Sequence, residues 1–192
     1  MSKIIQKLVP NYKKGRDAQI QGVVIHIGDG TYRQIYSTFL NEEKSSHYCI
    51  KSDGSIVQFV LEENTAWHAG KVVRPSSVLA WKNSKLNPNS YTIGIENEGV
   101  STQKDIPEVQ YQANAELVED ICTRYNIEIS NLTIISHSDI RADKVCPKPI
   151  NTSKIVKLAQ QTRDKRVVLI KEQISLLQRI VNFLISIKNG II

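Results

Sequence analysis

The sequence predicts an α/β domain, a mixed central β-sheet flanked by helices, over residues 1–150. A helical segment follows over residues 151–192. Two observations carry this. Short β-branched runs alternate with stretches of helical periodicity along the first 150 residues, the pattern of a sheet layered with helices. Past residue 150 the strand signals stop, and apolar residues recur at spacings of three and four.

The elements read in order. Gln21–Ile27 is short and β-branched, a buried strand, and Asp29–Gly30 turns the chain. Tyr32, Ile35, Tyr36 and Phe39 share a helical face near 31–43, with Thr31 or Thr38 as the cap. His47–Ile50 and Ser55–Val60 form a hairpin around Asp53–Gly54. Residues 64–90, with Pro75, Pro88 and many Asn and Ser, form a long irregular excursion, which in a compact domain is often functional. Tyr91–Glu96 is a strand. Pro107 starts a helix with Val109, Ala113, Leu117, Ile121 and Tyr125 along one face. Leu132–Ser136 is a strand, and a polar loop over 137–150 leads to helix after Asn151.

Composition limits the function. The chain has 192 residues, 41% apolar and 23% charged, which is globular rather than disordered. No apolar run reaches the roughly 18 residues of a spanning helix. Met1–Pro10 has lysines but no long apolar core, so no secretory signal is expected there. Three cysteines, Cys49, Cys122 and Cys146, give no disulfide framework. The net charge is +6, yet residues 1–150 hold 17 basic and 17 acidic residues. The excess sits in residues 151–192, with 8 basic and 2 acidic. A neutral main domain argues against a nucleic-acid partner.

The four histidines are His26, His47, His68 and His137. His26 ends one strand and His137 follows another. Cys146 lies in the loop nine residues after His137, between Lys144 and Pro147. Two imidazoles and one thiolate suit zinc, with a fourth position left for water. Asp139 and Asp143 are rival third ligands.

The chain resembles the zinc N-acetylmuramoyl-L-alanine amidases, the superfamily that includes the peptidoglycan recognition proteins. The matching pieces are Val23–His26, Ser46–Tyr48 with Asp53–Gly54, Ala66–Gly70, Ile93–Glu96, and His137–Ile140 followed by Lys144–Pro147. They occur in the family's order across residues 20–150, and all four histidines fall inside them. The resemblance implies a zinc site of His26, His137 and Cys146. It implies Glu96 as general base and acid and Lys144 facing the oxyanion; Glu98, on the same face of the strand by alternation, is the backup. It also implies His68 in the substrate cleft, and Trp67, Arg74 and His47 are further candidates for substrate contact. The cysteine ligand is like that of phage endolysins, and the glutamate is like that of bacterial relatives. The tyrosine that phage-type relatives carry before the hairpin histidine is Ser46 here, with Tyr48 two positions later.

The expected activity is hydrolysis of the amide between N-acetylmuramic acid and L-alanine in peptidoglycan. The expected setting is phage-type lysis, with synthesis in the host cytoplasm and release through a permeabilised membrane. A cytoplasmic amidase that recycles muropeptides, a non-catalytic peptidoglycan-binding module and a structural assembly protein are the alternatives. The tail sets Val167, Ile170, Ile174, Leu177, Val181 and Leu184 at alternating spacings of three and four; the row is interrupted by Lys188 and resumes at Ile191, beside a second row of Leu169, Leu176, Ile180, Phe183 and Ile187. It is expected to join other copies in a homo-oligomer, to fold back on its domain, or to lie on an anionic membrane or cell-wall polymer.

Overall fold

A computed structural model describes residues 3–188; Ile191 of the tail row lies outside them. The chain runs β1 (Ile5–Gln6), β2 (Tyr12–Lys13), β3 (Gly22–Ile27), α1 (Tyr32–Asn41), β4 (Tyr48–Ile50), β5 (Ile56–Gln58) and β6 (Thr65–Ala66). It continues α2 (Val78–Lys82), α3 (Pro88–Tyr91), β7 (Thr92–Asn97), α4 (Glu108–Arg124), β8 (Ile134–Ser136), α5 (His137–Ile140) and α6 (Thr152–Lys188).

Six strands form one mixed sheet in the order β1-β5-β4-β7-β3-β8. β3 lies between two parallel neighbours, with His26 beside Glu96 of β7 and Ile25 beside Ser136 of β8. All six residues of β3 are buried, as expected of a parallel strand covered on both faces. Alternation then sorts the side chains. Val23, Ile25, Ile93 and Ile95 join α4 and the start of α6 in one core. Val24 packs on the other face with Ala69, Ala80, Ile135 and Ile140. The second face therefore also receives His26 and Glu96.

The foreseen hairpin is present: β4 and β5 pair antiparallel around Asp53–Gly54. Gly54 has φ +82, and a Cβ there would lie 2.7 Å from Val109 Cγ2. Thr31 caps α1 in a capping box with Gln34. The buried Ile35 and Phe39 pack beneath it, and the ring of Phe39 meets Phe59 edge-on at 5.5 Å.

Four details differ from the sequence reading. β1, β2 and β6 have two residues each, too short to show a period. The 64–90 excursion holds β6, α2 and α3, and the 137–150 loop opens with α5. The packed face of α4 is wider than expected, because Gln110 and Asn114 are buried, while Val109 is exposed. Gln110 donates to the carbonyls of Ile50 and Glu98 at the sheet end, and Asn114 donates to the Asn97 side-chain oxygen, so both buried amides are satisfied. Finally, the division at residue 150 falls at the start of α6, yet Ile155, Val156 and Ala159 belong to the domain core.

A buried carboxylate ties the β5–β6 connection to the end of α4. Glu62 accepts from Tyr48 OH at 2.8 Å, Tyr125 OH at 2.9 Å and both terminal nitrogens of Arg124. Burial pushes the Glu62 pKa upward, but the Arg124 hydrogen bonds and charge, with the two phenols, outweigh it and hold the group below its ordinary value. A depressed folded pKa stabilises the protein above the unfolded value near 4.3, and that contribution is lost as pH falls through the folded value. Glu62→Gln is expected to cost about 2 kcal/mol at pH 7, the scale of hydrogen bonds to a charged group, because the part-exposed Arg124 keeps its pair with Asp120. The gap from wild type should narrow as the medium is acidified below about pH 4.3. Urea denaturation of both proteins at pH 7 and pH 3 checks this, and equal stability at pH 7 would contradict it.

Candidate active site

Three chain segments deliver the central side chains. His26 comes from the last turn of the pleat in β3. His137 is the first residue of α5, whose start is fixed by the Ser136–Asp139 capping box, with Ser136 N–H donating to Asp139 Oδ2 at 2.8 Å. Cys146 is brought back by Ser138 N–H donating to its carbonyl at 2.9 Å, and its Sγ accepts from Ile27 N–H at 3.4 Å. One ligand atom from each of His26, His137 and Cys146 lies within 4.8 Å of the others.

The loop Trp67–Gly70 backs both imidazoles. His26 Nε2 lies 3.1 Å from His68 Nδ1, and His137 Nε2 lies 3.1 Å from the Ala69 carbonyl. A ring nitrogen facing a carbonyl must carry the proton, so His137 keeps its lone pair on Nδ1. His26 Nδ1 faces Cys146 Sγ at 3.8 Å. Asn89 Oδ1 pins the loop by accepting from His68 N–H at 3.1 Å and Ala69 N–H at 2.7 Å. The His68 ring lies over Gly94, where a Cβ would come within 2.5 Å of the ring.

The electrostatics follow from burial. Desolvation holds His26 and His68 well below the usual histidine range and His137 at about 4, so all three imidazoles are neutral at pH 7. The same burial, with Glu96 nearby, pushes the Cys146 thiol up to about 12. Glu96 is raised to about 8 by burial, and its Oε2 is buried with no hydrogen-bond partner. Two neutral imidazoles, a thiol and an orphaned carboxylate oxygen are a donor set that a divalent cation fits. Its charge would lower both raised pKa values.

These groups open on a cleft of about 630 Å³, whose walls include His26, His137, Cys146, Glu96, Trp67, His68 and Lys144. Two candidates lie elsewhere. Arg74 is exposed in a left-handed conformation, φ +43, off the cleft wall. His47 is fully buried behind His68, with Nδ1 accepting from Gly94 N–H at 3.0 Å. Its role is to join β4 to β7. The backup Glu98 caps backbone, accepting from Tyr32 N–H and Ser52 N–H. Asp139 is held by Ser136 and Ser76, and Asp143 by Arg141, so neither joins the ligand group. Tyr48 faces the α4 side and gives its hydroxyl to Glu62, while Ser46 donates to the Tyr48 carbonyl; neither lines the cleft.

Two site residues escaped the sequence reading. Arg141 lines the cleft next to Gly70. Asn89 both lines it and holds the 67–70 loop. One sits in a stretch read as loop, the other in a stretch read as irregular, and neither carries a periodic signal.

Known proteins resemble this chain in sequence and in fold. The chain is 33% identical over 117 residues to N-acetylmuramoyl-L-alanine amidase A of Achromobacter lyticus, which covers 59% of this chain and 57% of the relative. It is 33% identical over 100 residues to 1,6-anhydro-N-acetylmuramyl-L-alanine amidase AmpD of Citrobacter freundii, covering 52% of this chain and 48% of the relative. The chain thus spans about half the length of these curated relatives. The N-acetylmuramyl-L-alanine amidase AmiD from E. coli, solved with anhydro-N-acetylmuramic acid-L-Ala-D-gamma-Glu-L-Lys, superposes with a TM-score of 0.60 at 25% identity, over 76% of this chain and 60% of that one. The sequence model of the N-acetylmuramoyl-L-alanine amidase family matches residues 16–149, the span that holds the cleft and all three ligand candidates, and the chain belongs to that family.

Proposed function

We propose that this chain is a zinc-dependent amidase that hydrolyses the bond between N-acetylmuramic acid and L-alanine in assembled peptidoglycan. The observation that carries the reading is the convergence of His26, His137 and Cys146 within 4.8 Å beside a carboxylate with one buried, unpartnered oxygen, in an open cleft. The names of the relatives and the substrate held by AmiD support the same bond.

His26, His137 and Cys146 would hold the metal, and the thiolate with two imidazoles favours zinc over harder ions. Bound there, zinc supplies a water of lowered pKa and polarises the carbonyl to be attacked. The chain's own residues supply the rest. Binding through Nδ1 requires His26 Nε2–H to donate to His68 Nδ1, and His68 Nε2, 3.4 Å from Thr92 Oγ1, completes the relay. His68 is thereby a positioning residue as well as a wall of the cleft. Glu96 accepts a proton from the attacking water and returns it to the L-alanine nitrogen as the carbon–nitrogen bond breaks. Its buried Oε2, which no donor among the described residues occupies, suits that exchange. Lys144, exposed on the cleft wall, presents positive charge where the carbonyl oxygen becomes negative. Trp67 offers a flat apolar surface to sugar or peptide.

Three outcomes are expected. Digested sacculi should gain L-alanine amino termini, and thorough chelation should abolish this until zinc is restored; undiminished release after chelation would refute the metal. Glu96→Gln should lower kcat by about 10²–10⁴-fold while zinc stoichiometry stays at wild type. A His68→Ala variant should lose about 10–100-fold in zinc affinity, read by competition with a chromophoric chelator. Unchanged affinity would remove His68 from the positioning role. The AmpD likeness raises a second reading, turnover of soluble muropeptides. Comparing rates on sacculi and on soluble fragments separates the two, and activity confined to fragments would overturn action on the assembled wall.

A further inference from the structure

The helix α6 is 37 residues long, and its contacts with the domain end near residue 166. Up to there Ile155, Val156 and Ala159 are buried, Gln160 donates to the Ile129 carbonyl, and Arg166 pairs with Glu119 at 3.0 Å. From Val167 to Ile187 every residue but one is exposed, including thirteen large apolar side chains at 42–61%. An isolated helix of this length is marginal in water without a packed apolar face. Residues 167–187 span about 32 Å, and an apolar arc of about 200° on a helix some 10–12 Å wide amounts to roughly 600 Å². That is at the upper limit of patches on monomeric proteins, and about three quarters of one partner's share of a standard interface.

The pattern of the patch selects its occupant. Val167, Ile174 and Val181 alternate with Ile170, Leu177 and Leu184 at spacings of three and four, so β-branched residues fill one core position and Ile or Leu the other. This is the sequence rule of helices that pack parallel to copies of themselves, and the seam taken alone suits two chains. The second row, Leu169, Leu176, Ile180, Phe183 and Ile187, widens the stripe beyond the seam that a single neighbour covers. The charge speaks against a membrane. No helix among the described residues is long and apolar enough to cross one. An interfacial helix gathers Lys and Arg opposite its apolar face. Residues 167–187 hold only Lys171 and Arg179 against Glu172, whereas five basic residues and Asp164 lie before 167, on the part docked to α4.

We propose that residues 167–187 assemble with the same segment of other copies into a parallel bundle of three or more chains. The inference rests on the tail alone and does not depend on the amidase reading. Its consequence for an enzyme acting on a polymer is multivalency, several domains held together on one surface.

Sedimentation equilibrium of the full chain tests it. Wild type is expected at three or more times the 21.7 kDa chain mass. Ile174→Glu combined with Leu177→Glu is expected at the mass of one chain, with the thermal midpoint of the domain unchanged, because neither side chain touches the core. A wild-type mass of one or two chains overturns the proposal, including the case in which that species binds vesicles of anionic phospholipid. A wild-type assembly that the double substitution leaves intact also overturns it.

Discussion

The parallel pairing of β3 with β7 on one side and β8 on the other is the constraint on which the site depends. Its register places His26 beside Glu96 and ends β8 where His137 begins α5. Alternation then sends His26 and Glu96 to the face that α4 does not cover. In open α/β sheets, ligands bind beyond the carboxyl ends of the parallel strands, and this cleft lies there. A slip of one residue in β3 would turn His26 into the α4 core and Ile25 into the cleft. The all-apolar inner face of Val23, Ile25, Ile93 and Ile95 makes such a slip costly, so packing energy on one side of the sheet fixes chemistry on the other.

The second level of support is the 67–70 loop. It meets both imidazoles, one through a side chain and one through a carbonyl, and it is anchored by Asn89. Gly94 supplies the space in which the His68 ring lies on the sheet. Burial does the remaining work. It keeps the imidazoles neutral and leaves Glu96 with a buried oxygen that no donor among the described residues engages. Removing water here strengthens each charge interaction within the cleft.

Much of this was legible in the sequence where a physical period or a local cap operates. The β-branched run of β3, the Asp53–Gly54 hairpin and the Thr31 cap all have short-range causes, and all are present. The two-residue strands had no period to read. The expected face of α4 holds for Ala113, Leu117 and Ile121, but the buried face is wider than hydropathy shows, because two buried amides, Gln110 and Asn114, look polar in such a pattern yet make buried hydrogen bonds. The meeting of His26 with Cys146, 120 residues apart, is a property of topology, and only the family resemblance pointed to it. His47 and Arg74 show the converse error. A histidine within a matching segment can be buried behind the cleft, and an arginine near it in sequence can lie off its wall. Arg141 and Asn89 reach the cleft through α5 and through the 64–90 excursion, neither of which sequence periodicity could place.

The two ends of the molecule follow different rules. In the domain, polar groups converge because a well-packed core over-determines their positions. In the outer part of α6, an apolar stripe extends beyond any surface of its own domain. The central claim concerns the first of these and is most directly tested by X-ray absorption at the zinc edge of the metal-loaded protein. The account predicts a four-coordinate shell with one sulfur near 2.3 Å and two imidazole nitrogens near about 2.0–2.1 Å. A shell without sulfur, or one unaltered by Cys146→Ser, would contradict it.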